Sequence, residues 1–183
     1  MDKSGKTADV GLPMAWGIED YVSYINAQGG INAKKIELLT EDEKYDVAVA
    51  RTAYLKLKDA GVIAILGWST GASKGLLPEV NANKICWFSA SMDGGLVNPV
   101  RAYNFIPGPT YTQQFNALLQ YAAEHPKQKD AKVKVAFIYN TSPFGMSALE
   151  AGTAKAAELG VDLVAKEIVE LNATEVAEQI ERI

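Results

Sequence analysis

The chain has 183 residues, 48% hydrophobic and 22% charged, a globular composition with apolar material for one ordinary domain or two small ones, which excludes disorder and a collagen-like repeat. A net charge of −4 and a pI near 5.1 leave no basic patch. Lys127, Lys129, Lys132 and Lys134 cluster, but Asp130 sits among them and no aromatics interleave, so nucleic acid is not an expected partner. No apolar stretch approaches the ~20 residues of a membrane span, and the opening MDKSGKTADVG lacks the apolar core of a signal peptide.

In chain order, Ile18, Val22 and Ile25 recur at helical spacing from Gly17 to Gln28, and Gly29-Gly30 follow as a stop. KIELLTED (35 to 42) reads as a strand, with Glu41, Asp42 and Glu43 as a short solvated acidic run. DVAVARTAYLKLKDAG (46 to 61) reads as a helix capped by Asp46 and stopped by Gly61, and VIAIL (62 to 66) as a buried strand. A helix near 72 to 82 and a strand ICWFS (85 to 89) follow; there Cys86 is expected as a buried filler and Trp87 as sheet packing. A Gly/Pro-punctuated stretch from Met92 to Pro109, holding the short strand YNFI, reads as a crossover. Beyond it come a helix over 111 to 124, a strand over 133 to 139, a helix over 145 to 159, a strand over 161 to 168 and a helix from about Thr174.

Strands alternating with helices imply parallel sheets covered on both faces, with ligands bound beyond the carboxyl ends of the strands. The segments that follow the strands are WSTGAS (68 to 73), ASMDGG (90 to 95) and NTSPFG (140 to 145), all rich in glycine and small hydroxylic residues. Trp16, Trp68, Tyr111 and Phe144 are expected on loops, as walls of a ligand cleft. Nothing that reads as a strand precedes the first helix. Because a doubly wound sheet keeps its first strand central, a cleft is expected in the core, and the chain reads either as a fragment or as part of an assembly whose missing pieces are supplied elsewhere.

GWSTG (67 to 71) also fits the nucleophile-elbow pattern G-x-S-x-G with Ser69 as nucleophile. A serine nucleophile requires a base, and the single histidine, His125, ends a helix near the start of a strand, the wrong end for Ser69. Without a base the same residues read as a binding loop, in which amides and hydroxyls hold a carboxylate or similar anion. One cysteine and one histidine support neither an internal disulfide nor a zinc site, and no nucleotide fingerprint occurs, so no cofactor is expected.

TADVGLPMAWGIEDYVSYINAQGGINAKKIELLTEDEKYD, AILGWSTGAS, FSASMDGGL and AFIYNTSPFGMSALEAG together resemble the type I periplasmic solute-binding proteins of ABC transporters, in the branched-chain amino-acid-binding group. INAQGGINAKKIEL is the most specific part, close to the group's "N..GGI.G.K" signature, with Ala33 where the group has a glycine. The resemblance implies an α/β fold of two doubly wound parallel-sheet lobes closing on a small molecule. The first lobe, over 1 to 107, lacks its opening strand, and 108 to 183 hold the beginning of the second, so that only about half of a typical member is covered. It places Trp16 near the ligand side chain; Ser69, Thr70 and Gly71 in the loop that grips its carboxylate; Ala90, Ser91 and Met92 in the loop completing the first-lobe site; and Tyr111 and Phe144 on the second lobe.

The implied function is an extracytoplasmic, periplasmic or extracellular, non-enzymatic solute-binding component of an ABC importer, with a small amino acid or other carboxylate as ligand and a membrane permease as partner. One departure bears on the ligand. Where leucine-type members carry an acidic residue for the ligand ammonium, this chain reads PGPTYTQQF (107 to 115), so a carboxylate without an ammonium competes. A serine hydrolase and a ligand-sensing receptor domain of the same fold are the alternatives.

Overall fold

The computed structural model describes residues 1–126 and 132–183, so Lys127, Lys129 and Asp130 of the lysine cluster lie outside the described residues. The chain divides into two compact units, Met1–Ala90 with Ala102–Asn104, and Ser91–Arg101 with Phe105–Ile183.

The first unit opens with α1 (Ala8–Ala27), which begins nine residues before the periodicity predicts. The carboxylate of Asp2, fully buried, accepts from the amides of Ser4, Gly5 and Thr7 and from the Thr7 hydroxyl, folding the polar opening into a turn that feeds the helix. Gly11 then lies so close to this turn that a β-carbon there would come within 1.9 Å of the Asp2 carbonyl oxygen. At the other end, Asn26 clamps both main-chain groups of Ile36, donating to its carbonyl at 2.8 Å and accepting from its amide at 2.7 Å. Between these residues Ala33 is left-handed at φ 63, a conformation that costs an alanine about 1 kcal/mol and explains why the resembling group has glycine there.

The strand expected over 35 to 42 is not formed. The segment is extended, with Ile36 and Leu38 half-buried, but a strand is defined by its ladder and none is made here among the described residues. α2 (Val47–Asp59) is capped as expected, the Asp46 side chain accepting from the Val49 amide, and Gly61 ends it at φ 78. β1 (Ala64–Gly67) and β2 (Cys86–Ser89) pair in parallel, Ile65 opposite Trp87, and a two-residue β3 (Asn104–Phe105) follows β2 in the sheet. Tyr54, Ile65, Leu76, Val80, Ile85 and Trp87 form the core of this unit. Cys86 is half-buried rather than a core filler, because the register that turns Trp87 inward turns its neighbour the other way.

The helix expected over 72 to 82 is two, α3 (Thr70–Gly75) and α4 (Leu77–Asn83), joined at Leu76. Pro78 lacks the amide that would continue the first into the second.

In the second unit, α5 (Tyr111–Glu124) matches the predicted bounds and starts in a capping box between Thr110 and Gln113. β4 (Lys134–Tyr139) and β5 (Asp162–Ile168) pair in parallel. The intervening helix is again split, into α6 (Pro143–Met146) and α7 (Leu149–Glu158); the Ser147 hydroxyl donates to the Phe144 carbonyl at the break. α8 (Ala177–Glu181) is a shorter final helix than expected. Leu119, Phe137, Ala156 and Val161 make the core, and Gly152 admits the Phe115 ring, which meets Phe137 edge-on at 4.7 Å.

Candidate ligand-binding site

β1 ends at Gly67, whose lack of a side chain is required by packing: a β-carbon would fall 2.1 Å from the Trp87 indole. The chain then turns through Trp68 and Ser69 into α3. Ser69 is the N-cap, in ordinary extended backbone (φ −72, ψ 147), its hydroxyl accepting from the Ala72 amide at 3.2 Å. A nucleophile elbow holds its serine on a strained turn with an exposed hydroxyl. Ser69 has neither feature, being 5% exposed, and the single histidine belongs to the other unit, where its ring stacks on Tyr121. The first glycine of the motif thus serves Trp87, and the serine caps a helix.

The turn is braced from afar. Glu43, 5% exposed, accepts from the Ser69 amide at 3.1 Å, and the Trp68 indole donates to the Thr7 hydroxyl at 2.8 Å. Burial pushes the Glu43 carboxyl above its ordinary value, while hydrogen bonds from Ser69 and the nearby amino terminus pull it back. The acidic run was expected to be solvated, and Glu41, which pairs with Lys56, and Asp42 are both half-exposed, so only Glu43 departs from it. At Asp42 burial opposes the charge, but the Ser4 hydroxyl and the Lys3 and Lys44 amides hold its carboxyl below the ordinary value. Signal for this role was present in the sequence only as an acidic residue two positions past an alternating stretch, which does not distinguish a brace from a solvated face.

Beneath the turn, the Ser73 and Ser89 hydroxyls are 2.7 Å apart, and the Trp87 indole donates to Ser73 at 3.3 Å. Thr70 is 2% exposed, and Gly71 and Ala90 are half-buried. The Ala90 amide donates to the Gly67 carbonyl, bringing the segments after β1 and β2 together. Trp16 is not on a loop: it projects from α1, 57% exposed, one residue beyond buried Ala15. Helical periodicity turns adjacent residues to different faces, so burial of Ala15 sends Trp16 outward.

The remaining expected residues belong to the second unit. Ser91 is buried, and its hydroxyl accepts from the Asp93 amide. The Met92 carbonyl accepts from the Tyr111 amide at 2.9 Å, and the Tyr111 and Phe144 rings meet edge-on at 5.1 Å. Tyr111 opens α5 and Phe144 lies in α6, so both stand at helix starts rather than on loops. They line a cavity of about 260 Å³ with Phe137, Asn140 and Leu118. Asn140, whose side chain accepts from the amide and hydroxyl of Ser142, was missed; its signal was an asparagine directly after a strand and two residues before a serine cap. Among the described residues no His, Cys, Asp and Glu cluster is suited to a metal ion, and no helix is long and apolar enough to cross a membrane.

Parallel sheets with hydroxyl-rich turns at their carboxyl ends are the frame of a type I binding fold, and the comparisons agree. The family described as Periplasmic binding protein matches residues 1–183, and the chain belongs to that family. A branched chain amino acid ABC transporter protein from Thermus thermophilus, crystallised with bound valine, superposes with a TM-score of 0.90 at 27% identity, over 99% of this chain and 47% of its own. An ABC transporter substrate binding protein from Aeropyrum pernix gives 0.83 at 32% identity, over 99% and 47%. A solute binding protein of an ABC transporter from Rhodopseudomonas palustris BisB5, in complex with 3,4-dihydroxy benzoic acid, gives 0.79 at 20% identity, over 99% and 48%, a likeness of fold alone. The chain therefore spans about half the length of these structures. No match was found among curated protein sequences.

Proposed function

We propose that the protein serves as an extracytoplasmic solute-binding component of an ABC importer, without catalysis of its own, taking a small amino acid or another carboxylate-bearing solute and passing it to a membrane permease. The observation that carries the reading is a chain matched over its whole length by a binding-protein family, with a hydroxyl-rich turn after β1 in which Glu43 fixes the Ser69 amide and Thr70 opens α3. A rigid turn of amides and hydroxyls recognises a carboxylate at low ordering cost. In the first unit Gly71 and Ala90 lie half-buried at this turn and Trp16 is exposed on α1; in the second, Ser91, Met92, Tyr111 and Phe144 are the residues we assign to recognition.

The hydrolase alternative draws no support from an unstrained, helix-capping Ser69. For the ligand, a second reading is favoured by the start of α5. There Thr110 is tied into its capping box, and 107 to 115 hold no carboxylate to meet an ammonium. An aromatic or aliphatic acid fits that surface as well as an amino acid does.

Titration calorimetry with valine, isoleucine and 3,4-dihydroxybenzoate tests both readings. Binding of one of these acids, weakened by about tenfold (~1.4 kcal/mol) in a Thr70→Ala chain that still folds, is the expected outcome. Affinity untouched by that substitution would remove the turn from the site, and preference for the benzoate over both amino acids would decide the ligand class.

A further inference from the structure

The tripeptide Asn-x-Ser/Thr, with no proline in the middle, is the pattern that N-linked glycosylation requires: the asparagine amide takes the sugar, and the hydroxyl two residues on is read by the transferring enzyme. Of the nine asparagines in the chain two carry it, Asn140 in Asn140-Thr141-Ser142 and Asn172 in Asn172-Ala173-Thr174. Both belong to the second unit, and their settings are opposite.

Asn140 is 9% exposed, and its side-chain oxygen accepts from the amide and the hydroxyl of Ser142, so amide and hydroxyl are spent on each other. Ser142 is also the cap of α6, accepting from the Gly145 amide. An enzyme would have to dismantle the turn after β4 to reach either group. Asn172 instead stands in the turn between β5 and α8, where residues 172–175 are all exposed. Among the described residues neither its side chain nor the Thr174 hydroxyl has a hydrogen-bond partner.

The turn accounts for the asparagine but not for the threonine. Asn172 is left-handed at φ 68, a conformation that asparagine tolerates better than most residues. Thr174 caps nothing, since Val176 holds the cap position of α8 and makes no side-chain bond there. One main-chain hydrogen bond closes the turn, from the Ala173 amide to the Glu170 carbonyl at 3.0 Å. Once it opens, alternate residues of the extended segment share a face, which sets the Glu170 carboxylate, the Asn172 amide and the Thr174 hydroxyl along one side.

We propose that Asn172 is an acceptor for N-linked glycosylation, with a lipid-pyrophosphate-linked oligosaccharide as co-substrate. The site rests on the extracytoplasmic location proposed above, where exported chains meet a transferase and donor of this class. The Asn172 side-chain nitrogen bonds to C1 of the first sugar, the bond from C1 to the pyrophosphate oxygen breaks, the lipid pyrophosphate leaves, and the amide gives up one proton. Nothing is oxidised or reduced.

The test incubates the purified chain with an oligosaccharyltransferase and a lipid-pyrophosphate-linked oligosaccharide, and reads intact mass followed by peptide mapping. One glycan per chain is expected, on the peptide holding Asn172, lost in Asn172→Gln and Thr174→Val and kept in Thr174→Ser, with circular dichroism separating a lost acceptor from a lost fold. No glycan on the folded chain, a glycan on Asn140 instead, or transfer that survives Thr174→Val overturns the proposal. A synthetic peptide spanning 168–176 controls for the enzyme: transfer to the peptide but not to the folded chain shows that the turn withholds the amide, and overturns it as well. Because transfer is read on purified chain without solute, failure here and failure of the calorimetry above are separate results.

Discussion

β1 and β4 both run out into a serine-capped turn, and the two turns are held by opposite means. After β1, Ser69 is buried and braced by residues distant in sequence, Glu43 on its amide and Thr7 on the neighbouring Trp68 indole. After β4, Ser142 is half-buried and braced by Asn140, two positions back, while Gly145 closes over the Asn140 carbonyl. The first turn is only as rigid as the unit around it; the second carries its own support.

Altering the glycine of each turn should produce the largest effects and break the comparison most sharply. Gly67→Ala drives a β-carbon into the Trp87 indole, and a loss of about 2–3 kcal/mol, confined to the first unit, is expected in denaturant titrations followed by exchange. Gly145→Ala meets the Asn140 main chain and should act as strongly, on the second unit alone. Spread of either effect to the other unit would show that the two unfold together.

Next in size is Glu43. Glu43→Ala leaves the Ser69 amide without its acceptor, at a cost of about 1–3 kcal/mol. Its pH dependence has a definite sign. A carboxyl whose folded pKa is raised above the ordinary 4.5 binds protons more readily when folded, so its contribution is greatest below 4.5 and is lost as pH rises through the folded value. Relative to Glu43→Gln, the original chain should therefore gain melting temperature as pH is lowered from 7 towards 4.5; a parallel pair of curves would mean that Glu43 is not desolvated.

Trp68→Phe and Ser142→Ala sharpen the contrast at smaller scale, each removing one hydrogen-bonding group for about 1 kcal/mol. The first should loosen the turn after β1, read as faster exchange at Ser69 and Ala72, and the second should speed exchange at Gly145 only. Smallest is Ala33→Gly, expected to stabilise the first unit by about 0.5–1 kcal/mol by relieving the left-handed alanine. A loss instead would mean that the freedom gained by the unfolded chain outweighs the relief.

What the sequence discloses follows how local each feature is. The α5 bounds and the Asp46 cap are legible because periodicity and capping chemistry act within a few residues. The parallel sheets follow from the alternation of elements, and the hydroxyl-rich turns from their places after strands. The strand over 35 to 42 was misread because alternation promises a ladder only where an edge is available. Trp16 reads as a loop residue because the helical periodicity of Ile18, Val22 and Ile25 begins only after it; the anchor that starts the helix earlier is Asp2, whose role depends on three amides folding back to it. Glu43 was hidden for the same reason: nothing in its neighbours announces a partner 26 positions away.

The packing of Trp87 has a practical side as well. All three tryptophans, Trp16, Trp68 and Trp87, belong to the first unit, and the second contains none. They sample distinct surroundings, an exposed helix face, a hydrogen-bonded turn and an apolar core. Light absorbed and re-emitted by indole is thus a built-in reporter of one half of the molecule, sensitive to the turn after β1, while the other half is visible only through its tyrosines.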